Sequence, residues 1–180
     1  ARVVASTLSD IYSASVAAIG ALKGSLHGGA NEEVMKMFEE IGDERKAEEY
    51  IKAKLAEKAK IMGFGHRVYK TGDPRAAILK AYSKRMGEER GQQKWYKMSE
   101  IIEAHMFAEK QLYPNVDFYS ASVFHMLGID RRFFTLIFAT GRMSGWTAHV
   151  MEQHADNRII RPASDYTGHE ERAYVPIEKR

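Results

Sequence analysis

The 180-residue sequence contains no cysteine, which excludes disulfide bridges, thiol nucleophiles and metal sites built on thiolates. It has no apolar run long enough to cross a bilayer, and its first residues show no secretory signal pattern. Internal repeats, low-complexity linkers and long alternating strand patterns are also missing. These absences predict a cytoplasmic protein that does not interact with membranes.

The chain has little excess charge, with a net charge of +3, and its basic residues mostly alternate with acidic ones. A weak and dispersed positive charge disfavours nucleic acid as a partner. Because 44% of the residues are hydrophobic, the chain can bury a sizeable core as one or two domains.

Several common catalytic signatures are absent as well. Gly63-Phe64-Gly65 starts like a dinucleotide-binding fingerprint, but the third glycine and a preceding strand are missing. The sequence has no phosphate-loop lysine motif and no Gly-x-Ser-x-Gly elbow. His149 and His154 are five residues apart, so one helix would not present both to a metal. We therefore expect no metal centre.

Apolar residues recur with helical spacing along most of the chain, which predicts an all-α fold. The first segment is rich in alanine and serine, which is typical of closely packed, buried helices. The expected helices are 2–22 with a break near Ser9 and Asp10, 31–41 capped by Asn31, 44–62, 74–90, 94–111, 117–127, 131–139 and 144–154, the last two hinged at Gly141–Ser144 and followed by an irregular tail from Arg158.

The stretch GFGHRVYKT, Gly63–Thr71, combines two glycines with a dense cluster of cationic groups and is followed by Gly-Asp-Pro-Arg. Glycine allows the backbone to approach a ligand closely, and cationic side chains bind phosphates or carboxylates. Asp73 can cap the next helix, with Pro74 at its first position. The stretch is interpreted as either a polyanion-binding loop or a solvated basic loop. Its candidate ligand-binding side chains are His66, Arg67, Lys70 and Arg75.

Three ionisable residues lie in predicted loops or at helix starts rather than within helices: His27, His66 and Asp117. His27 is flanked by glycines just before a helix, where the helix dipole favours a neutral imidazole. Asp117 follows Pro114-Asn115-Val116 and could also serve simply as a helix N-cap. Two histidines and a carboxylate form a set that can move a proton and stabilise an enolate.

Five motifs occur in order along the chain: Gly-Ser-Leu-His-Gly-Gly-Ala-Asn, Gly-Phe-Gly-His-Arg-Val-Tyr, Asp-Pro-Arg, Pro-Asn-Val-Asp-Phe-Tyr-Ser, and Gly-Arg-Met-Ser-Gly-Trp with a later Arg-Pro. Together they resemble the successive motifs of citrate synthases, including the similar 2-methylcitrate synthases. The resemblance covers essentially all 180 residues.

This resemblance implies an enzyme with a citrate-synthase-like helical fold, present here as a small domain plus the C-terminal part of the large domain. It implies large-domain, dimer-interface helices in 1–26, a small CoA-binding domain in 27–127, and C-terminal large-domain helices in 128–180. The implied protein is a homodimer that condenses oxaloacetate with acetyl-CoA in the first step of the tricarboxylic acid cycle. The CoA thioester is a substrate, and no further cofactor is implied.

The same resemblance assigns roles to individual residues. Asp117 would remove a proton from the thioester methyl group, while His27 would hydrogen-bond the forming enol oxygen. His66 would polarise the oxaloacetate ketone and protonate its developing alkoxide. The implied oxaloacetate ligands are His66, Arg75, Arg142 and Arg161, the last reaching the neighbouring subunit's site. The implied CoA contacts are Gly63, Phe64 and Gly65 at the adenine and Lys70 and Lys110 at the phosphates.

The chain departs from the family pattern in two ways. A first oxaloacetate-binding histidine and the N-terminal helical half are missing, so the chain resembles a C-terminal part. Ser25 also stands where the family usually has proline. Two other functions stay open: a 2-methylcitrate synthase that uses propionyl-CoA, and a non-catalytic helical interaction module.

Overall fold

A computed structural model describes residues 1–24 and 27–180, and within them the chain is helical with no strand. The predicted all-α fold is therefore confirmed for those residues. The helices are α1 (Arg2–Ala5), α2 (Ile11–Lys23), α3 (Ala30–Ile41), α4 (Ala47–Ala56), α5 (Pro74–Arg90), α6 (Gln93–Lys110), α7 (Val116–Met126) and α8 (Phe134–Ala155), with short 3₁₀ turns at Glu44–Lys46, Arg131–Phe133 and Ile177–Lys179.

Capping residues set several of the helix starts, as the sequence predicts. Asp10 caps α2 by accepting a hydrogen bond of 2.7 Å from the Ser13 N–H. Asp73 caps α5 in the same way, and Pro74 occupies the first helical position. A side-chain acceptor at this point satisfies one of the free N–H groups of the first turn and stabilises the helix by about 1 kcal/mol.

The apolar side chains form two separate clusters. The larger cluster fills the space between α3, α5, α6 and α7, and its fully buried members include Phe38, Met98 and Phe118. The smaller cluster joins α1, α2 and α8 through Ala5, Ala14 and Val150. Helix α8 reaches both clusters, since Phe134 at its start belongs to the larger one.

The predicted helix over Glu44–Met62 is wrong in both its start and its end. The chain instead forms a 3₁₀ turn at Glu44–Lys46, and α4 stops at Ala56. Lys58 has a positive φ of 55°, a left-handed conformation that does not continue a right-handed helix. The turn redirects the chain so that Ile61 is 9% exposed and packs in the larger cluster.

Two other local predictions are also wrong. Gly29, rather than Asn31, is the N-cap of α3, and Asn31 is buried in the first turn of that helix. The predicted hinge at Gly141–Ser144 is absent, because α8 runs through it without interruption. A glycine inside a helix costs only about 1 kcal/mol relative to alanine, which packing at both ends of α8 can outweigh.

Helix α2 is only partly buried, in contrast to the prediction of closely packed, buried helices at the N-terminus. Ala14, Ala18 and Leu22 face the interior, while Tyr12 is 80% exposed and Val16 is 68% exposed. The small residues therefore permit close packing on one face of α2, and the other face presents apolar side chains to the surface.

Gly63 lies in the interior beside the larger cluster and requires the absence of a side chain. Its φ is +85°, and a Cβ atom there would lie 2.8 Å from Val34 Cγ2 and 3.0 Å from Phe118 Cβ. Both neighbours belong to the packed core, where displaced atoms have little free space.

We predict that Gly63→Ala lowers the free energy of unfolding by about 2 kcal/mol, through backbone strain and overpacking. Gly145→Ala is the matched control, because Gly145 lies inside α8 with no atom near its missing Cβ. It should raise stability by about 0.5 to 1 kcal/mol. Urea unfolding followed by circular dichroism measures both changes, and an unaffected Gly63→Ala variant would contradict the packing described here.

Candidate active site

Two loop segments pair through main-chain hydrogen bonds and bring distant residues together. The Gly65 N–H donates to the Tyr113 carbonyl, and the Asn115 N–H donates to the Gly63 carbonyl, each at 2.9 Å. Asn115 strengthens this pairing with its side chain, whose Nδ2 donates to the Gly65 carbonyl while Oδ1 caps α7 by accepting from the Asp117 N–H. The glycine loop that leads to His66 is thereby fixed to the start of the helix that carries Asp117.

His66 is held by its own loop in one tautomer. Its Nδ1 accepts hydrogen bonds from the backbone N–H groups of Val68 and Tyr69, both at 3.1 Å, and its ring packs on the Tyr69 ring with centroids 4.5 Å apart. An Nδ1 atom that accepts these bonds cannot also carry a proton, so the neutral ring carries its proton on Nε2. His66 can therefore donate one hydrogen bond to a ligand.

His27 lies in the turn between α2 and α3, where its N–H donates to the Gly24 carbonyl at 2.8 Å. The predicted departure at Ser25 falls outside the described residues. Gly28 packs against α2 so closely that a Cβ would collide with the Leu22 carbonyl oxygen. The Thr135 hydroxyl donates to the Gly28 carbonyl at 2.9 Å, which ties the His27 turn to the start of α8.

A cavity of about 360 Å³ brings together seven of the residues predicted from the sequence. These are His27, Gly65, His66, Arg67, Arg75, Asp117 and Arg142. The other residues around it are Leu22, Gly28, Asn115, Val116 and Phe138. The cavity therefore combines a carboxylate, two imidazoles and three guanidinium groups from four separate parts of the chain.

Asp117 is half-buried at the second position of α7, and burial raises the pKa of its carboxyl group above the ordinary value. The positive charges of Arg142 and Arg75, and then that of His27, act in the opposite direction. Asp73 adds a smaller like-charge effect that again raises the pKa of Asp117. A carboxylate with a raised pKa is a stronger base than one at an open surface.

A second cavity of about 130 Å³ adjoins the first and shares Gly65 and His66 with it. Lys70 lies on its wall, as does Tyr69. Lys110 is exposed at the end of α6 and lines neither cavity. The two cavities thus have the Gly65–His66 part of the glycine loop in common.

The remaining predicted residues lie away from these cavities. Gly63 packs against the core, and the Phe64 ring contacts the Phe118 ring with centroids 4.5 Å apart. Both residues therefore support the glycine loop from beneath and do not line the cavities. Arg161 is exposed in the irregular segment that follows α8.

Two roles in the site go beyond the sequence motifs. Phe138 lines the larger cavity, and the Arg142 guanidinium lies 5.7 Å from its ring centroid, which helps to orient this cation. The alternative that Asp117 is a helix N-cap is wrong, because Asn115 caps α7 and Asp117 is the second residue of that helix. No sequence pattern indicates Phe138, because its position one turn before Arg142 matters only when α8 is continuous.

The part of the chain that the structure describes contains no cluster of three potential metal ligands. Over the same residues, none of the helices is both long and apolar enough to cross a membrane.

The family model described as citrate synthase, C-terminal domain, matches residues 1–163. The chain belongs to the citrate synthase family. It is 64% identical over 180 residues to citrate synthase 2 of Bacillus subtilis, and 48% identical over 180 residues to the 2-methylcitrate synthase of Shewanella oneidensis. Each alignment covers all of this chain and 48% of the relative.

The fold also matches that of a solved citrate synthase. The citrate synthase of Thermoplasma acidophilum, solved as a ternary complex with carboxymethyl coenzyme A and oxaloacetate, superposes with a TM-score of 0.89 at 41% identity, covering 99% of this chain and 49% of that one. The predicted citrate-synthase-like fold is thus confirmed. This family member spans about half the length of these relatives. We use the term extended protein for this chain joined to a counterpart of the remaining half of these relatives.

We predict that Asp117→Asn raises the melting temperature of the extended protein at pH 7. The folded-state pKa of Asp117 lies above the ordinary 3.8, so protonation of this group favours folding and its ionisation at neutral pH opposes folding. The amide removes that cost. The difference from wild type should shrink as the pH falls through the raised pKa towards 3.8.

Thermal unfolding by calorimetry from pH 7 to pH 4 measures this difference. Asp165→Asn, in the exposed tail, is the control and should leave the melting temperature unchanged. If the Asp117→Asn variant is less stable than wild type at pH 7, the carboxylate is favourably solvated in the folded protein and the prediction is wrong.

Proposed function

We propose that the extended protein condenses oxaloacetate with acetyl-CoA to give citrate and CoA, the first step of the tricarboxylic acid cycle. The observation that carries this proposal is the single cavity shared by Asp117, His27, His66, Arg75 and Arg142. It contains a base, hydrogen-bonding imidazoles and two carboxylate-binding cations, which are the groups that this condensation needs.

In the proposed reaction, the Asp117 carboxylate removes a proton from the methyl group of the thioester. A thioester methyl is a weak acid, so the negative charge on the forming enol oxygen must be stabilised at the same time. His27, at the positive end of α3, is suited to donate that hydrogen bond. The raised pKa of Asp117 increases the driving force for proton removal.

The carbon that loses the proton then forms a bond to the ketone carbon of oxaloacetate. We propose that Arg75 and Arg142 bind the oxaloacetate carboxylates, because a guanidinium group matches a carboxylate with two parallel hydrogen bonds. The Nε2–H of His66 would donate to the ketone oxygen, which becomes an alkoxide. In this tautomer His66 is suited to polarise the ketone by donating a hydrogen bond. It is less suited to give up the Nε2 proton, because its loss would leave an imidazolate. The proton that Asp117 removed from the methyl group would then pass to the alkoxide and complete the hydroxyl group of citrate. Water would hydrolyse the citryl thioester to a carboxylate and release CoA as its thiol.

CoA would occupy the second cavity, next to the site of condensation. Lys70 on its wall can bind a phosphate group, and Gly65 allows the ligand to approach the backbone. The match with the Thermoplasma acidophilum complex supports these ligands, since that protein binds oxaloacetate and a CoA derivative. In this proposal Gly63 and Phe64 shape the loop that meets the adenine, and Lys110, which lies outside the cavity, meets a phosphate group that extends beyond it.

A 2-methylcitrate synthase that uses propionyl-CoA is the second candidate, because the Shewanella oneidensis 2-methylcitrate synthase is 48% identical over the whole chain. The two reactions differ by one methyl group on the thioester. Steady-state kinetics of the extended protein with acetyl-CoA and propionyl-CoA, compared as kcat/KM, decide between them.

The proposal includes a homodimer and the division into 1–26, 27–127 and 128–180. The two separate apolar clusters support the division, since the smaller one joins the first and last segments. The exposed apolar side chains of α2, such as Tyr12 and Val16, support a subunit contact at this helix.

We predict that Asp117→Asn abolishes citrate formation by the extended protein and leaves oxaloacetate binding intact, because an amide cannot accept the methyl proton. Loss of a general base typically lowers turnover by about a hundredfold or more. Turnover is measured as release of free CoA, and oxaloacetate binding is measured by calorimetry. A variant that keeps more than about a tenth of wild-type turnover would rule out Asp117 as the base.

We also predict that subunits carrying Arg161→Ala and subunits carrying Asp117→Asn are each inactive, and that a mixture of the two regains activity. A mixed dimer contains one site with both wild-type residues if Arg161 acts in the neighbouring site. Activity is assayed after the subunits have been exchanged and mixed dimers have been isolated with two affinity tags. Inactive mixed dimers would place Arg161 in its own subunit's site.

A further inference from the structure

Within the described residues, one local arrangement occurs three times, in which an aspartate precedes an arginine by two residues at the start of a helix or 3₁₀ turn. In each case the aspartate accepts the arginine N–H and also binds the guanidinium group of the same residue. The three pairs are Asp43 with Arg45, Asp73 with Arg75, and Asp130 with Arg132. The recurrence shows that this arrangement forms readily where the two residues begin a helix or turn.

Asp73 and Asp130 make nearly identical bonds within their own pairs. The Asp73 bonds to Arg75 measure 3.0 Å at the backbone N, 2.9 Å at Nε and 2.8 Å at Nη2. The corresponding bonds from Asp130 to Arg132 measure 2.9, 3.0 and 2.8 Å. Any functional difference between the two aspartates must therefore come from their surroundings.

Those surroundings differ in two respects. The Asp73 side chain is 1% exposed, whereas that of Asp130 is 44% exposed. Asp73 Oδ2 also accepts a hydrogen bond of 3.0 Å from the Val116 N–H, which is the first residue of α7. One buried carboxylate thus joins the start of α5, the start of α7 and the Arg75 guanidinium group.

The hydrogen bonds of Asp73 connect two parts of the candidate active site. Arg75 lines the cavity as a proposed oxaloacetate ligand, and Val116 directly precedes the proposed base, Asp117. We propose that Asp73 is a positioning residue that fixes the carboxylate-binding Arg75 relative to Asp117. This inference rests on the function proposed above for the cavity.

The charge of Asp73 gives this role a measurable signature. Burial alone would raise the pKa of Asp73, but hydrogen bonds from Arg75 and from the Val116 N–H outweigh it and lower the pKa, so the group is ionised. The charged and titratable groups that face Asp117 are Arg142 from α8, Arg75 from α5, His27 from the turn before α3, and Asp73 itself. Removal of the Asp73 charge leaves the two guanidinium groups unopposed and lowers the pKa of Asp117.

The test compares Asp73→Asn with Asp130→Asn in the extended protein. Asparagine still caps a helix through Oδ1, so both changes keep the local turn and remove the charge together with the second carboxylate oxygen. At Asp73 that second oxygen binds both Arg75 Nη2 and the Val116 N–H. For Asp73→Asn we expect the KM for oxaloacetate to rise about tenfold, and the acidic limb of the kcat/KM profile to move to lower pH. For Asp130→Asn, which removes an exposed ion pair, both quantities should stay within about twofold of wild type.

A second variant, Val116→Pro, separates the bond to α7 from the charge. Proline has no N–H and is well accepted at the first position of a helix, so this change deletes the bond from Val116 to Asp73 and keeps the carboxylate. It should raise the KM for oxaloacetate and leave the acidic limb unmoved. It also serves as the test if Asp73→Asn does not fold, which circular dichroism reports.

The outcomes separate this inference from the proposed function. If wild-type extended protein releases no CoA with oxaloacetate, the proposed function fails, and the inference fails with it. If wild type is active and the folded variants at Asp73 and Val116 keep its KM and pH profile, the inference alone is overturned. A lower melting temperature without either kinetic change gives Asp73 a purely structural role and also overturns it.

Discussion

The candidate active site depends above all on the main-chain pairing between residues 63–65 and 113–115. Backbone N–H and carbonyl groups removed from water must find partners, and here the two loops satisfy each other. Asn115 adds a bond to the Gly65 carbonyl and caps α7 with the same side chain. His66 and Asp117 are distant in the sequence, and this pairing is what places both on one cavity wall. The glycines are needed for this loop pairing as well as for ligand binding, because Gly63 has no room for a side chain.

The second contribution to the site comes from α8, which brings Arg142 to the cavity. Its first residue packs in the larger cluster, Val150 packs in the smaller one, and Thr135 bonds to the turn that carries His27. Because α8 is uninterrupted, it fixes the position of one cluster relative to the other more rigidly than two hinged helices would. The cavity lies between the paired loops, the His27 turn and α8, and these parts together supply the charged and titratable groups that line it.

Local rules predicted much of this structure, and long-range contacts account for most of the errors. Asp73 and Pro74 correctly marked the start of α5, because a cap and a first-turn proline act within a few residues. The α8 hinge and the end of the 44–62 helix failed, since packing against distant residues decides both. For the site, the motifs identified His27, His66, Arg75, Asp117 and Arg142, but not the pairing role of Asn115. The ligand roles of Arg161 and Lys110, the homodimer and the cytoplasmic location stay predictions.

The Asp-x-Arg pairs at helix and 3₁₀ starts show how little of a site a short motif specifies. At an exposed start the aspartate caps the first turn and pairs with a cation at the same time. The pair at Asp73 makes the same local bonds, but α7 covers it and adds the bond from the Val116 N–H. A search for the pattern would score these copies alike and would also find Asp156 and Arg158, so the fold around Asp73, and not its motif, distinguishes it.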